Sequence, residues 1–197
     1  MKIVCIKMGD KYGPEYVNVL QNMVERNLTV DYEFLCITDN PDGLSCKTLE
    51  PDPDLPGWWQ KMALFKENPY NIRENMLYID LDVVIISNID KLTQQKDFTL
   101  LQDLILPMYN SSVMFIPHNA QTQIWSEFDR ESDMASSRCG DQDIITKYAK
   151  DATTWPKNWC LSYRLEARFA ASGKLVQFHG LPKPHNLTHT WVGDYWR

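Results

Sequence analysis

An apolar segment interrupted by two aspartates constrains the fold of this chain more than any other feature. Residues 76–86 read MLYIDLDVVII, in which Asp80 and Asp82 carry the only charges. A continuous apolar run without alternation is typical of a strand buried on both faces, as in parallel sheets. Carboxylates inside such a strand carry a large desolvation cost unless another group balances their charge. The segment therefore predicts a buried strand and a partner for its two acids.

Strand and helix patterns alternate on both sides of this segment. The opening predicts a strand at residues 3–6, a helix that begins at Gly13-Pro14 and a strand at 32–38. Later patterns predict a helix at 58–68, a strand at 112–116, a helix at 121–128, a helix that begins at Gly140 and a strand at 175–178. Such alternation is typical of α/β domains with a mostly parallel central sheet flanked by helices. Because no linker interrupts residues 1–197, we predict a single Rossmann-like domain.

The helical spacing also predicts where two tryptophans lie. Trp58, Met62 and Phe65 recur at the spacing of one α-helical face, and Trp125 lies on the apolar face of the helix at 121–128. Large aromatic side chains at such positions are usually part of the core. We therefore predict that both tryptophans are buried.

Composition narrows the class of protein. Hydrophobic residues make up 44% of the chain, which is enough apolar surface to exclude global disorder. The formal charge of −6 offers no basic field for a polyphosphate backbone, so we expect no nucleic-acid partner. The five cysteines form no C-x-x-C pair, which favours reduced thiols in a cytoplasmic setting over disulfides or a zinc site. No apolar stretch approaches the length of a signal peptide or a transmembrane helix, so we expect neither.

The chain contains three Asp-x-Asp triplets, and their contexts differ. Asp52 and Asp54 lie among prolines, and Asp141 begins a predicted helix, where an acidic side chain can act as a cap. Asp80 and Asp82 lie against an apolar strand with no lysine or arginine beside them in the sequence. Their like charges would repel strongly in a medium of low dielectric constant. We interpret this pair as the ligands of a divalent cation.

The two carboxylates can approach one cation only if the strand ends or bends between them, because alternate residues of a strand point to opposite faces. We therefore place Asp80 and Asp82 at the carboxyl end of a strand, where open α/β sheets have their ligand crevice. Oxygen ligands suit Mg²⁺ or Mn²⁺, and an added imidazole would favour Mn²⁺. Two carboxylates leave coordination positions open, which a diphosphate could occupy.

Four short motifs follow one another along most of the chain. They are Ile79-Asp80-Leu81-Asp82, Asn110-Ser111-Ser112-Val113-Met114, Gly140-Asp141-Gln142 and Phe178-His179-Gly180-x-x-Lys183-Pro184. In this order they resemble the retaining nucleotide-sugar glycosyltransferases of the glycogenin-like and bacterial galactosyltransferase-like type, which share the GT-A fold and a DxD motif. The resemblance implies transfer of a hexose from UDP-glucose or UDP-galactose to a saccharide or another hydroxyl acceptor.

The resemblance also implies a role for individual residues. Asp80, Asp82 and His179 would bind Mn²⁺, with Mg²⁺ as an alternative. Lys183 would hold the leaving diphosphate, and Gly180 would let the backbone approach it. The other implied positions are Met8, Gly9 and Tyr12 at the nucleotide base, Lys61 facing the donor, Asp80 also near the ribose, and Asn110, Asp141 and Gln142 around the transferred sugar. Among these, Asp141, Gln142 and Lys183 are the candidate catalytic residues.

Three alternatives stay open at the level of sequence. Retention could arise by same-face attack, with a phosphate oxygen taking the proton of the acceptor, or by double displacement with Asp141 as nucleophile. Asp80-x-Asp82 after an apolar strand also fits the nucleophile motif of haloacid-dehalogenase phosphatases and phosphotransferases. Lys183 follows His179 by four positions, a shorter spacing than the family usually has. This spacing would also suit a protein that binds the nucleotide-sugar without turnover.

Overall fold

The computed structural model describes residues 1–168 and 171–197, which form two β-sheets flanked by helices. The strands are β1 (Lys2–Lys7), β2 (Glu33–Thr38), β3 (Lys47–Leu49), β4 (Met76–Ile79), β5 (Val83–Ile85), β6 (Thr99–Gln102), β7 (Tyr109–Ile116), β8 (Thr153–Thr154), β9 (Cys160–Ser162) and β10 (Leu175–Gln177). The α-helices are α1 (Pro14–Asn27), α2 (Thr122–Glu127), α3 (Arg130–Ser136), α4 (Asp141–Tyr148) and α5 (Trp191–Tyr195). Shorter turns are 3₁₀ helices at Gly57–Phe65, Pro69–Asn71, Asp90–Leu92 and Pro184–Leu187 and a π-helical turn at Tyr163–Ala167.

The larger sheet has the strand order β3-β2-β1-β4-β7-β6-β8 in the described ranges. Its first four strands are parallel neighbours, β7 is antiparallel to both β4 and β6, and β8 is parallel to β6. Because the sheet is mostly parallel and the chain alternates between strand and helix, the predicted α/β class is confirmed. Parallel pairing also brings the carboxyl ends of β1 and β4 to the same edge.

The predicted strand at residues 76–86 is divided between the two sheets at its aspartates. β4 ends at Ile79 in the larger sheet, and β5 begins at Val83 in the smaller sheet, whose order is β5-β10-β9. Backbone hydrogen bonds hold the intervening turn from both sides: the Asp80 N–H donates to the Ser112 carbonyl (2.8 Å), and the Phe178 N–H donates to the Asp82 carbonyl (3.2 Å). The expectation that the strand ends at this pair is confirmed.

Two apolar clusters cover the faces of the larger sheet. Alternate residues of β1 face opposite sides, with Ile3 in the cluster that includes α1 and Val4 in the cluster that includes the 3₁₀ helix Gly57–Phe65. Leu77 and Tyr78 divide β4 between the same two clusters. Both faces of these strands are therefore buried, which explains why their sequences are continuously apolar.

The helix predicted at residues 58–68 differs from the structure. It is a 3₁₀ helix that ends at Phe65, and Asn68 has a positive φ of 46° that excludes helical continuation. All side chains from Trp59 to Phe65 are buried, whereas Trp58 in the first turn is exposed. The prediction that Trp58 is buried is therefore wrong.

The other tryptophan and the cysteines agree with expectation. Trp125 is partly buried against the cluster that covers the 3₁₀ helix. All five cysteines are free thiols. The described part of the chain includes no helix with the length and apolar character needed to cross a bilayer.

Two neighbouring tryptophans test which side chain of this helix is buried. Trp59 is 7% exposed and stacks on Phe128, whereas Trp58 is 59% exposed. We expect Trp59→Ala to lower the free energy of unfolding by about 3 to 5 kcal/mol, because it removes a large buried side chain. We expect the matched Trp58→Ala change to stay within about 0.5 kcal/mol of the wild type. Urea denaturation of both variants measures these changes. Equal losses of unfolding free energy would contradict the burial of Trp59 and the exposure of Trp58.

Candidate active site

A cavity of about 280 Å³ opens at the edge of the larger sheet where β1 and β4 end. We call it the aspartate cavity. Its lining comes from the end of β1 and the following loop, from the start of the 3₁₀ helix, and from the turn after β4: Ile6, Met8, Lys11, Tyr12, Gly57, Trp58, Lys61, Tyr78, Asp80, Leu81 and Asp82. The carboxyl ends of parallel strands form the usual ligand crevice of such sheets, and this cavity lies there.

Asp80 is held by two donors in the structure. The Tyr78 hydroxyl donates to Oδ1 at 2.5 Å, and Lys61 Nζ lies 2.9 Å from Oδ1 and 3.2 Å from Oδ2. Burial raises the pKa of the Tyr78 hydroxyl, and the negative charge of Asp80 raises it further. Tyr78 is therefore a protonated donor to Asp80 at any ordinary pH.

Asp82 also has two donors, which come from distant parts of the chain. The Tyr12 hydroxyl and Lys183 Nζ both donate to Oδ2, at 2.9 Å and 2.5 Å. Lys183 Nζ donates in addition to the Phe178 carbonyl at 2.8 Å. Burial raises the pKa of Tyr12, and the charge of Asp82 adds to this effect. The C-terminal segment is thus tied to the turn after β4.

Lys61 joins Asp80 to a second, deeper carboxylate. Its Nζ donates to Ser111 Oγ at 3.1 Å and lies 3.7 Å from Asp141 Oδ2, to which the Ser111 hydroxyl donates at 2.5 Å. The side chains of Lys61 and Asp141 are only 8% and 5% exposed. Burial opposes the charge on Lys61, but the carboxylates of Asp141 and Asp80 outweigh it and raise the pKa of the ammonium. Burial raises the pKa of Asp141, although Lys61 counteracts it.

Two lysines therefore balance the acids that seemed unpaired in the sequence. Lys61 serves Asp80, and Lys183 serves Asp82. The sequence did not indicate these partners, because neither lysine is adjacent to the aspartates in the chain. Cation binding by the pair stays a prediction.

The three implied metal ligands do not form one group in this structure. His179 Nε2 lies 2.6 Å from Ser162 Oγ and thus already has a hydrogen-bond partner. Residues 1–168 and 171–197 contain no cluster of three His, Cys, Asp or Glu side chains that could hold a metal. Asp80 and Asp82 by themselves still fit Mg²⁺ or Mn²⁺, because they present hard oxygen ligands and leave positions for a substrate.

Other implied residues divide between the cavity and its surroundings. Met8 and Tyr12 line the aspartate cavity, but Gly9 does not and instead donates its N–H to the Asp39 carboxylate at 3.0 Å. Asn110 is buried in β7, where its Oδ1 accepts the Ser112 N–H at 3.0 Å.

Two more implied residues lie outside the lining of the cavity. Gln142 is half-buried in the first turn of α4. Gly180 has φ of 71°, and a Cβ at this position would lie 3.3 Å from Nη1 of Arg164.

Sequence reasoning missed Trp58, Lys11, Tyr78 and Ser111 as parts of the site. Trp58 presents its exposed indole to the aspartate cavity. Its Nε1 lies so close to Gly140 that a Cβ there would be 2.7 Å away. One sequence signal could have predicted the exposure of Trp58. This residue directly follows Pro56-Gly57, where a helix begins, and a side chain in the first turn is often left outside the core.

Comparison with solved structures identifies the fold as that of glycosyltransferases. An active-site mutant of LgtC matches with a TM-score of 0.70 and 15% identity, over 100% of this chain and 97% of that one. The galactosyltransferase LgtC in complex with donor and acceptor sugar analogs matches with a TM-score of 0.70 and 14% identity, over the same shares. GlyE of Streptococcus pneumoniae matches with a TM-score of 0.69 and 10% identity, over 93% of this chain and 56% of that one.

The sequence itself matches no family model and no curated protein. At 10 to 15% identity the likeness establishes the fold, and it covers 93 to 100% of this chain. The expected GT-A fold is therefore confirmed.

Removing the buried ammonium tests the polar cluster. We expect Lys61→Met to lower the free energy of unfolding at neutral pH by about 3 to 5 kcal/mol, because Asp80 and Asp141 lose their cation. The loss should shrink as the pH falls, since Asp141, whose pKa burial raises, then binds a proton more readily folded than unfolded. Urea denaturation across a pH series measures both effects. Lys66→Met, which removes a partly exposed lysine paired with Asp52, is the control.

Proposed function

We propose that the protein is a glycosyltransferase that moves a hexose from a UDP-sugar to a hydroxyl acceptor. The observation that carries this proposal is the turn at Asp80 and Asp82, which presents two carboxylates to a cavity at the carboxyl end of parallel strands. The fold supports it, since LgtC, whose structure contains donor and acceptor sugar analogs, matches the whole chain. UDP-glucose and UDP-galactose are the donors proposed, and a saccharide or another hydroxyl compound is the acceptor.

Asp80 and Asp82 would hold Mn²⁺ or Mg²⁺ together with the diphosphate. Their carboxylates supply hard oxygen ligands and leave coordination positions for phosphate oxygens. His179 would join them only after it releases Ser162, which its imidazole contacts in this structure. When bound, the cation neutralises charge that develops on the diphosphate as the bond to the sugar breaks.

The loop after β1 is our candidate for binding the nucleotide base. Met8 and Tyr12 line the aspartate cavity beside the end of that strand. Gly9, with φ of 59°, turns the loop, and its N–H is anchored on the Asp39 carboxylate. An anchored loop loses little conformational entropy when a ligand binds, so it suits a preformed base site.

Lys183 is the proposed cation for the leaving diphosphate. In this structure it neutralises Asp82, at an Nζ to Oδ2 distance of 2.5 Å. Because a divalent cation and Lys183 compete for the same carboxylate, cation binding would release the lysine toward the diphosphate. A charge aimed at the phosphates stabilises the transition state more than the ground state. The same segment contains Gly180, whose lack of a side chain would let the backbone approach the diphosphate.

The geometry around Asp141 favours same-face attack over double displacement. The Asp141 carboxylate is buried, accepts the Ser111 hydroxyl and lies beside Lys61, so it is poorly suited to attack a sugar carbon. In same-face attack the acceptor oxygen bonds to the anomeric carbon, the bond from that carbon to the phosphate oxygen breaks, and a phosphate oxygen takes the proton. Asn110 and Gln142 remain our proposed neighbours of the transferred sugar.

The haloacid-dehalogenase alternative is not favoured. The fold matches glycosyltransferases over the full chain, and the proposed nucleophile Asp80 is held by Tyr78 and Lys61. A nucleotide-sugar-binding protein without turnover remains the alternative that an activity measurement separates from the proposed function.

The decisive test is a screen of UDP-sugars for Mn²⁺-dependent hydrolysis and transfer, combined with calorimetric titration of UDP. We expect Asp82→Asn to weaken Mn²⁺-dependent UDP binding by at least about 100-fold, because the site loses a charged ligand. Asp54→Asn, which changes an exposed aspartate of another Asp-x-Asp triplet, should leave it unchanged. Equal UDP affinity in both variants would refute the metal assignment. Binding without turnover would favour the binding-protein alternative.

Competition between Lys183 and the cation predicts opposite effects of one substitution. We expect Lys183→Met to tighten binding of Mn²⁺ alone by about tenfold, because the carboxylate of Asp82 is freed. The same variant should bind the UDP and Mn²⁺ pair more weakly than the wild type, because the diphosphate loses its lysine. Titration of each ligand measures the two effects, and changes in the same direction would contradict this competition.

A further inference from the structure

A second cleft of about 540 Å³ is lined in part by the C-terminal segment. We call it the arginine cleft, and the residues that matter in it are Arg164, Arg168, His179, Ile105, Leu165 and Leu181. The segment from Phe178 to Lys183 links the two places, since Lys183 donates to Asp82 of the aspartate cavity while His179 and Leu181 line the arginine cleft. The arginine cleft is therefore lined by residues of the same short segment as the lysine proposed to hold the leaving diphosphate.

Positive charge is concentrated on one wall of the arginine cleft. Arg164 and Arg168 are four residues apart around the π-helical turn, and His179 lies among the lining residues with them. Nη1 of Arg164 would lie 3.3 Å from a Cβ at Gly180, so the missing side chain makes room for the guanidinium. Glu166, the acidic residue of this turn, accepts the Ser162 N–H at 2.9 Å and keeps its charge, so the turn with its two arginines is net positive by one. In a chain with a formal charge of −6, this wall is suited to an anion.

The rest of the arginine cleft is apolar and exposed. Ile105, Leu165 and Leu181 are 69%, 55% and 75% exposed, and all three line it. Leu104 and Leu106, which flank Ile105 in the chain, are also exposed. Clustered large apolar side chains of this kind usually mark a binding site.

We infer that the arginine cleft binds the acceptor, and that this hydroxyl acceptor is an amphiphile that also carries a phosphate group beside an apolar chain. The inference rests on the proposed function, because it names the acceptor of that reaction. Guanidinium groups bind phosphate oxygens through paired hydrogen bonds, and Arg164 supplies such a group to the cleft. The apolar side chains are left exposed in the free protein and would be covered by the chain of the ligand.

Calorimetric titration with octyl phosphate below its micellar concentration tests this inference. We expect saturable binding that is at least about tenfold tighter than that of inorganic phosphate or octyl glucoside, because only octyl phosphate has both groups. Arg164→Gln should weaken octyl phosphate binding by about tenfold, and Leu181→Ser by about threefold. Arg73→Gln, which changes an exposed arginine outside the cleft, is the control, and circular dichroism checks that each variant is folded.

Four outcomes would overturn the inference. Octyl phosphate could bind the Arg164 variant as tightly as the wild type, or no more tightly than inorganic phosphate does. Binding to phosphatidylglycerol vesicles without binding to monomeric octyl phosphate would indicate a membrane-facing surface instead. Weaker UDP and Mn²⁺ binding in Arg164→Gln would assign this arginine to the donor. Wild-type protein that binds octyl phosphate but not UDP with Mn²⁺ would refute only the proposed function.

Discussion

The charge balance at the turn between β4 and β5 is the interaction on which the rest of the structure depends. The chain leaves one sheet after Ile79 and enters the other at Val83, and it carries Asp80 and Asp82 across that boundary. Carboxylates next to two apolar strands are tolerated because each has an ammonium and a tyrosine hydroxyl as partners. The two sheets are therefore joined at a turn whose two carboxylates are each paired with a lysine.

The same interactions draw distant segments into one site. Lys61 connects the 3₁₀ helix to the turn after β4 and to α4, and Lys183 connects the C-terminal segment to Asp82. Trp58 lies in the first turn of the 3₁₀ helix and lines the aspartate cavity, whereas Trp59 to Phe65 are all buried. A tryptophan expected in the core is thus a lining residue of the aspartate cavity.

Much of the fold could be predicted because apolar periodicity is a local signal. The α/β class, the helix after Gly13-Pro14 and the end of the strand at Asp80 all follow from neighbouring residues. Short elements such as β6, β8 and α3 gave no such signal, since a few residues do not establish a period. The candidate site was harder to predict, because Tyr78 carries no sequence mark that distinguishes it from other buried polar residues, and Ser111 stood out only as part of a motif.

The sequence by itself determined that two carboxylates stand at the end of a buried strand and that their charge needs a partner, since burial and charge are properties of the segment alone. Only the tertiary structure decided that the partners are Lys61 and Lys183, that His179 contacts Ser162, and that Trp58 faces the aspartate cavity. The reason is distance along the chain: Asp82 and its lysine are 101 residues apart, and their pairing is set by how two sheets pack together.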